Sequence, residues 1–320
     1  MTTAFLFPGQ GSQAVGMGKA LAETFTVAKA VFDEVDAALS QKLSTVMWEG
    51  PLAELTLTAN AQPALMAVSL AVIRVLESEA GLDMKRDAAF VAGHSLGEYS
   101  ALAAAGTFSI ADAARLLRIR GNAMQKAVPA GEGAMAALLG VELDLARAIA
   151  ADSAQGQVCE AANDNGGGQV VLSGAKAAVD RAIVLAGERG VRRAMLLPVS
   201  APFHCALMQP AAEAMQAALA QVAMQAPVVP VMANVGAAPL TDPDAIRASL
   251  VAQVTGTVRW RECVEAMAAA GVTRFVEAGS GKVLAGLVKR IAAGATPISV
   301  GTADDIAGYK SLNNDKTLNG

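Results

Sequence analysis

A serine flanked by glycines lies in the first third of the chain. The segment GHSLG at 93–97 fits the pattern G-x-S-x-G, and it follows a short apolar run and precedes a helical one. In that context the glycines allow a sharp turn, which presents a serine hydroxyl at a helix N-terminus where negative charge is stabilised. We therefore predict that Ser95 is a nucleophile. The alternative is a turn serine that only caps the helix.

A serine hydroxyl is a weak nucleophile and needs a neighbouring base. The chain has two histidines, His94 and His204. His94 adjoins Ser95, and neighbouring side chains at a sharp turn usually diverge. His204 lies in the loop SAPFHC at 200–205, and loops held by a rigid scaffold often carry catalytic groups. If a histidine activates Ser95, His204 is the better candidate; otherwise its ring is structural.

One arginine is predicted to face the protein interior. Ser109 and Asp112 resemble a capping box that opens a long helix. The apolar stripe of that helix runs through Ile110, Ala113, Leu117, Met124 and Val128. At about 100° per residue, Arg120 falls in the middle of this stripe, whereas Arg115 and Arg118 fall nearly opposite and should be solvated. A buried guanidinium needs a partner. That partner is either a structural carboxylate or the carboxylate of a dicarboxylic acyl substrate.

The elements that must position these residues alternate between strands and helices. Short apolar runs predict buried strands at 4–7, 89–92, 228–233 and 274–277. Helical patterns separate them, which indicates an α/β architecture with a mostly parallel sheet. The tail from Gly301 is polar, and we expect it to be loosely ordered except where it packs locally.

The middle of the chain has a different order of predicted strands and helices. Four further strands are predicted, at 134–139, 158–162, 169–172 and 192–197. Helices are predicted at 143–151 and 179–188, with a polar, glycine-rich turn at 163–168. The order β-α-β-β-α-β is ferredoxin-like. We therefore expect a large α/β-hydrolase-like domain at 1–127 and 199–320, with a small ferredoxin-like α+β subdomain inserted at 128–198.

Composition argues against several classes of protein. No run approaches ~20 uninterrupted apolar residues, so we expect no membrane span, and the N-terminus lacks the basic region of a secretory signal. A net charge of −4 does not favour nucleic-acid binding. The three cysteines, Cys159, Cys205 and Cys263, are widely spaced and odd in number. They suggest no metal site and no disulfide framework, but reduced thiols in a cytoplasmic protein.

Six segments together resemble the malonyl-CoA:acyl carrier protein transacylase family, which also occurs as acyltransferase domains of fatty acid and polyketide synthases. They are FPGQGSQ at 7–13, GHSLGEYSAL at 93–102, RGNAMQ at 120–125, PVSAPFHCALM at 198–208, LVAQVTGTVRW at 250–260 and EAGSGKVLAGL at 277–287. The resemblance implies an enzyme of fatty acid synthesis that passes a malonyl group from malonyl-CoA, a coenzyme A thioester, to the phosphopantetheine thiol of acyl carrier protein. It implies a malonyl-serine intermediate and no cofactor, and we expect a monomer.

The resemblance also implies roles in the chemical step. Ser95 would carry the acyl group, and His204 would move the proton. The main-chain carbonyl of Gln253 would hold the imidazole in place of an aspartate. The backbone N–H groups of Gln10 and Leu96 would form the oxyanion hole.

A second group of residues is implied to bind substrate. Arg120 would bind the free malonyl carboxylate. A phenylalanine directly before the histidine, here Phe203, is typical of family domains that use malonyl rather than methylmalonyl groups; otherwise its ring only packs the loop. Met124, in the RGNAMQ segment, and His94 complete the predicted substrate-binding residues.

Three rival functions remain open. A serine esterase or thioesterase shares the serine turn, but an α/β-hydrolase places its histidine near the C-terminus, and neutral ester cleavage has no use for Arg120. A family member could instead serve polyketide synthesis or malonate decarboxylation, which the sequence does not exclude. A non-enzymatic scaffold for the carrier has no need of an interior arginine.

Overall fold

Strands and helices alternate along the chain, and the computed structural model describes residues 2–199 and 201–317. Within these residues the strands are β1 (Thr2–Phe7), β2 (Phe90–Gly93), β3 (Gly133–Leu139), β4 (Cys159–Asp164), β5 (Gln169–Ala175), β6 (Arg193–Leu196), β7 (Val231–Met232), β8 (Pro239–Leu240), β9 (Val272–Ala278) and β10 (Thr296–Val300). The helices are α1 (Lys19–Thr24), α2 (Thr26–Leu39), α3 (Leu43–Glu49), α4 (Leu52–Thr56), α5 (Thr58–Ala80), α6 (Met84–Asp87), α7 (Gly97–Ala104), α8 (Ile110–Lys126), α9 (Leu143–Ala154), α10 (Lys176–Glu188), α11 (Gln209–Leu219), α12 (Pro243–Thr255), α13 (Trp260–Ala269), α14 (Val283–Ile291) and α15 (Ala303–Thr317).

The larger sheet has the strand order β10-β9-β1-β2-β7-β8. Its neighbours are parallel except for the edge pair β7 and β8. Side chains of β1 alternate between two cores: Ala4 and Leu6 pack with α13 and α14, whereas Phe5 and Phe7 join a larger core with α5 and α8. A central strand covered on both faces is typical of parallel sheets. The predicted α/β class with a mostly parallel sheet is confirmed.

The smaller sheet is antiparallel, with the order β4-β5-β3-β6. Helices α9 and α10 cover one face, where Leu138, Ile149 and Ala182 share a separate core. The other face, which carries Met135 and Val171, joins the core of the larger part. The predicted ferredoxin-like order is confirmed.

The turn predicted at 163–168 begins later than expected. Strand β4 continues through Asp164, whose N–H donates to the carbonyl of Val258 at 2.9 Å, and the Val258 N–H donates to the carbonyl of Ala162 at 2.8 Å. A neighbouring segment, distant in sequence, therefore holds these polar residues extended. A local reading of their composition does not reveal this pairing.

The described part of the tail is helical because it packs locally, which is the exception that the sequence analysis allowed. Residues Ala303–Thr317 form α15, which packs against α5 and β10. Ile306 and Tyr309 are each 2% exposed, and the guanidinium of Arg274 lies 5.7 Å from the centre of the Tyr309 ring. Two well-placed apolar side chains are enough to dock an otherwise polar helix.

Helix α8 begins as predicted, because the Ser109 hydroxyl accepts the N–H of Asp112 at 3.0 Å. The expectation that Arg118 is solvated is wrong. Its side chain is half-buried and donates to the side-chain oxygens of Asn60 at 2.8 Å and Gln41 at 2.7 Å. Polar neighbours from other elements thus cover the outer side of the helix.

Helix α5 is long and apolar enough, by length and composition, to cross a membrane. It has 23 residues, and 89% of its most apolar window is buried inside the protein. The central helix of a folded core has the same properties.

Candidate active site

Ser95 lies at a sharp turn between β2 and α7. Its backbone has a φ of +54°, which few residues other than glycine adopt. A Cβ atom on Gly93 would lie 1.9 Å from the Gly97 carbonyl, and one on Gly97 would lie 2.2 Å from the carbonyl oxygen of Phe7. The close approach of the chain therefore requires both glycines, and the turn presents Ser95 at the carboxyl end of the larger sheet.

His204 meets the serine from a separate segment. Its Nε2 lies 2.7 Å from Ser95 Oγ, and its Nδ1 lies 2.8 Å from the main-chain carbonyl oxygen of Gln253 on α12. Because a carbonyl oxygen only accepts, Nδ1 carries the hydrogen, which leaves the Nε2 lone pair to accept the serine proton. The structure brings these three residues together although 158 positions separate the first from the last.

The imidazole of His204 is neutral at ordinary pH. The residue is 4% exposed, and burial together with the nearby Arg120 cation lowers the pKa of His204 to about 3. The hydrogen bond to the Gln253 carbonyl favours the protonated ring, but it does not outweigh these two effects. A neutral ring is the form that can take a proton.

Arg120 reaches the same hydroxyl from α8. Its side chain is 1% exposed, and its Nη2 lies 3.1 Å from Ser95 Oγ and 2.9 Å from Gln253 Oε1. Its Nη1 donates to Gln62 Oε1 at 2.8 Å. No carboxylate of the described part of the chain forms an ion pair with Arg120. The structural carboxylate that the sequence analysis offered as one possible partner of Arg120 is therefore not found among the described residues. The polar groups in contact with the guanidinium are amides and a hydroxyl.

Glu98 and Asn234 extend this polar cluster into the protein interior. The Oε2 atom of Glu98 accepts from the N–H of Asn234 at 3.1 Å and from Nε2 of Gln253 at 2.9 Å. Burial raises the pKa of Glu98 to about 7, although these donors and the Arg120 cation favour its carboxylate. The side-chain amide of Gln253 thus links the Arg120 guanidinium to the Glu98 carboxyl group, accepting from the first and donating to the second.

Sequence analysis missed Glu98, Asn234 and Gln62. Asn234 directly follows the run predicted as a strand at 228–233, and residues after neighbouring parallel strands meet at one edge of a sheet. That position was a usable signal. Nothing in the sequence links Gln62 to Arg120, because they lie 58 positions apart on two helices.

A cavity of about 490 Å³ opens beside the serine. The predicted site residues that line it are Gln10, His94, Ser95, Leu96, Arg120, Met124, Phe203 and His204. Met135 and Asn163 contribute to it from the smaller sheet. Its volume is within the usual range for small-molecule sites. The cavity brings a nucleophile, a neutral base and a cation to one space.

Gln10 and Leu96, whose backbone N–H groups were predicted to form the oxyanion hole, both line this cavity. In the part of the chain that the structure describes, neither Gln10 N–H nor Leu96 N–H donates to a protein acceptor. The loop of Gln10 lies against the serine turn, since a Cβ on Gly9 would lie 2.7 Å from the carbonyl oxygen of His94. The two predicted oxyanion-hole donors therefore lie at or beside the serine turn without a protein acceptor among the described residues.

His94 turns toward the smaller sheet. Its Nε2 lies 2.8 Å from Oδ1 of Asn165, and its ring centre lies 5.6 Å from that of Trp260. Burial lowers the pKa of His94. Although it lines the cavity, this histidine is engaged across the two sheets, whereas His204 contacts the serine hydroxyl.

Residues 4–305 match the family model described as the acyl transferase domain. The chain belongs to this family. It is 46% identical over 282 residues to the malonyl CoA-acyl carrier protein transacylase of Bacillus subtilis (strain 168), which is 88% of this chain and 87% of the relative.

Solved structures of family members superpose closely on this enzyme. The acyl-carrier-protein-S-malonyltransferase of Bartonella henselae does so with a TM-score of 0.95 at 58% identity, over 98% of this chain and 99% of that one. A malonyl-transacylase in complex with a type II polyketide synthase acyl-carrier protein gives 0.94 at 39% identity, over 98% and 100%. The same fold therefore occurs in enzymes named for malonyl transfer to a carrier.

Proposed function

We propose that this acyltransferase moves a malonyl group from malonyl-CoA to the phosphopantetheine thiol of acyl carrier protein, through a malonyl ester on Ser95. One observation carries the proposal. Arg120 is a buried cation without an ion-pair partner among the described residues, and its Nη2 lies 3.1 Å from Ser95 Oγ. An acyl group on that oxygen with a free carboxylate at its far end supplies the missing anion. The names of the relatives agree with this substrate.

The first half-reaction acylates the serine. Neutral His204 takes the Ser95 proton as Oγ attacks the thioester carbonyl carbon. The N–H groups of Gln10 and Leu96 receive the negative oxygen of the tetrahedral adduct, and donors of this kind are typically worth roughly 3–4 kcal/mol each. The carbon–sulfur bond then breaks, and coenzyme A leaves as a thiol with the proton that His204 held.

The second half-reaction discharges the serine. His204 takes the proton of the carrier thiol, and the resulting thiolate attacks the malonyl ester. The carbon–oxygen bond breaks, and Ser95 regains its proton from His204. Because one site serves both substrates in turn, the order is ping-pong. The proposed chemistry requires no cofactor.

Residues at the cavity wall are proposed to select the acyl group. Phe203 and Met124 border the same space as Ser95. A large ring and a thioether there leave little room for an α-methyl branch, so malonyl should load faster than methylmalonyl. His94, held by Asn165, is proposed to shape the same wall rather than to move a proton.

We assign the enzyme to fatty acid synthesis in the cytoplasm and expect a monomer, which light scattering would show as a mass of 32.4 kDa. A second candidate pathway, polyketide synthesis, is favoured by the relative solved with a polyketide carrier. Discharge rates of the malonyl-enzyme onto one carrier of each type would decide between them. Equal rates would leave no basis for the fatty acid assignment.

The experiment that tests the function is intact-protein mass spectrometry after mixing with malonyl-CoA, methylmalonyl-CoA or acetyl-CoA. The wild type should gain one malonyl group, and phosphopantetheinylated carrier should remove it. Ser95→Ala should gain none. Arg120→Ala should lose malonyl loading by about 30-fold or more, because a buried charge partner is removed, while acetyl loading should not fall.

Arg115→Ala is the matched control, since Arg115 lies on the same helix but is exposed and pairs with Asp112. It should load like the wild type. Two results would count against the proposal: acetyl loading as fast as malonyl loading in the wild type, or loss of the label to water without a carrier. The second result would indicate a hydrolase.

A further inference from the structure

Asn234 lies directly behind the serine turn. It follows β7, which pairs in parallel with β2, with Met232 opposite Ala92. Because neighbouring parallel strands end at the same edge of a sheet, the residues that follow them meet there. Asn234 is 0% exposed.

The amide of Asn234 spans the turn. Its Oδ1 accepts the N–H of Ser95 at 2.8 Å, and its Nδ2 donates to the carbonyl oxygen of Gly93 at 2.7 Å. These two groups flank His94, at a turn where Ser95 adopts a φ of +54°. One planar amide therefore ties together both ends of a strained stretch of backbone.

Its other neighbours fix the orientation of this amide. Nε2 of Gln253 also faces Asn234 Oδ1, at 3.3 Å, although its two hydrogens have closer acceptors in the Ser95 carbonyl and Glu98 Oε2, both at 2.9 Å. A rotation of the amide by 180° would turn Nδ2 toward two N–H donors and Oδ1 toward the Gly93 carbonyl. Only the observed orientation satisfies every group. Asn234 itself is not among the residues that line the cavity.

We propose that Asn234 is a positioning residue, which keeps Ser95 in the left-handed conformation that places Oγ within reach of His204 and Arg120. This inference rests on the proposed function. Without the amide, the turn can relax toward a φ more usual for serine, and the 2.7 Å contact to His204 lengthens. A displacement of about 1 Å at a reacting group can slow a reaction by about 100-fold. Substrate binding should not change, because the cavity and the guanidinium stay in place.

The test is the single-turnover rate at which Asn234→Ala is acylated by malonyl-CoA, followed by mass spectrometry. At saturating malonyl-CoA the rate should fall by about 10- to 100-fold, with the half-saturating concentration within about twofold of the wild-type value. Reaction of Ser95 with a fluorophosphonate probe should slow in parallel. Asn234→Asp keeps an acceptor for the Ser95 N–H but loses the donor to Gly93. Both of its rates should therefore lie between those of the wild type and those of Asn234→Ala.

Asp36→Ala is the matched control. Asp36 is 5% exposed on α2 and accepts the N–H of Ser44 at 2.9 Å and its hydroxyl at 2.6 Å. This variant also loses two buried hydrogen bonds, so its Tm should fall while both labelling rates stay at the wild-type value.

Folded Asn234→Ala or Asn234→Asp that labels as fast as the wild type would overturn the inference. So would rates that fall only with the unfolded fraction. If malonyl-CoA fails to label the wild type but the fluorophosphonate reaction is slowed in the Asn234 variants, the positioning role stands and the proposed function fails.

Discussion

Ser95 Oγ lies between a neutral base and a cation. His204 Nε2 is 2.7 Å away and Arg120 Nη2 is 3.1 Å away. The base accepts the hydroxyl proton, and the cation lies where the free carboxylate of a malonyl group on that oxygen can pair with it. The same cation lowers the pKa of His204. A bound malonyl carboxylate would offset that cation, so we expect the histidine to be a stronger base once the substrate is in place.

The His204 ring should take up no proton between pH 8 and pH 5. Burial lowers the pKa of both, that of His204 to about 3. A base with a lowered pKa stays neutral, so the acylation rate should show no loss from His204 protonation in this range. NMR chemical shifts of the imidazole ring carbons would show whether His204 stays neutral, and the variant His94→Gln would assign the signals of the two histidines.

The lowered pKa of His204 also predicts how the free energy of unfolding changes with pH. Histidines of the unfolded chain take up protons near pH 6.5, whereas folded His204 does so only near 3. Its contribution to the free energy of unfolding is therefore intact above about pH 6.5 and lost progressively as the pH falls toward 3. A His204 signal that titrates near pH 6.5 would contradict the assignment of a neutral base.

For individual residues, the sequence predicted which reactive side chains meet, but it did not predict which residues hold them in position. Ser95, His204 and Arg120 were recognisable because their chemistry restricts the candidates to a few. Glu98 was not, because a buried glutamate gains its role from a partner 136 positions away. For Asn234 the sequence offered only its position after a predicted strand, and not its partner 139 positions away. Such partners are set by the packing of strands and helices, which no local pattern contains.

Among the elements, the buried strands were the most predictable. Their apolar runs are continuous, so β1 and β9 were found within two residues of their observed ends. Strands β8 and β10 were not predicted, and β7 was predicted too long. Six residues were predicted at 228–233, and only Val231 and Met232 pair. An apolar run specifies burial, whereas pairing depends on how far the neighbouring strand extends.

Helix α15 escaped prediction because its apolar contact is narrow. Tyr309→Ala should lower the free energy of unfolding by about 3 kcal/mol, since it removes a large buried ring. Urea unfolding would measure this loss. Lys310→Ala, at an exposed position of the same helix, should change stability by less than about 0.5 kcal/mol. Equal effects of the two substitutions would mean that the helix is not docked through Tyr309.

In the whole molecule, the smaller sheet is tied to the segment that follows the active-site helix α12. The hydroxyl of Thr257 donates to the carbonyl of Ala161 at 2.7 Å, next to the backbone bonds between β4 and Val258. The guanidinium of Arg261 lies 2.9 Å from the buried carboxylate of Asp164. These contacts begin four residues after Gln253, whose carbonyl orients the catalytic imidazole.

Asp164→Ala should loosen this attachment. It removes the buried one of the two carboxylate partners of Arg261, which keeps Glu265, and the acceptor of the Gly166 N–H. The loss is about 1–3 kcal/mol for a buried group. Hydrogen exchange should accelerate in β4 and at 257–259 and change little in β1. Asp180→Ala, which breaks an exposed pair with Lys176, should leave all three segments unchanged. Uniform acceleration throughout the molecule would instead indicate global destabilisation.

Both members of the reactive pair have backbones in the left-handed region, with φ of +54° at Ser95 and +58° at His204. Each such residue costs roughly 1–3 kcal/mol. Selection for robustness and selection for turnover therefore act in opposite directions at these two positions. Glycine at either one would relieve the backbone and end the chemistry. A lineage adapting to heat must accordingly find its gains elsewhere in the chain, and these two residues should stay fixed while their surroundings drift.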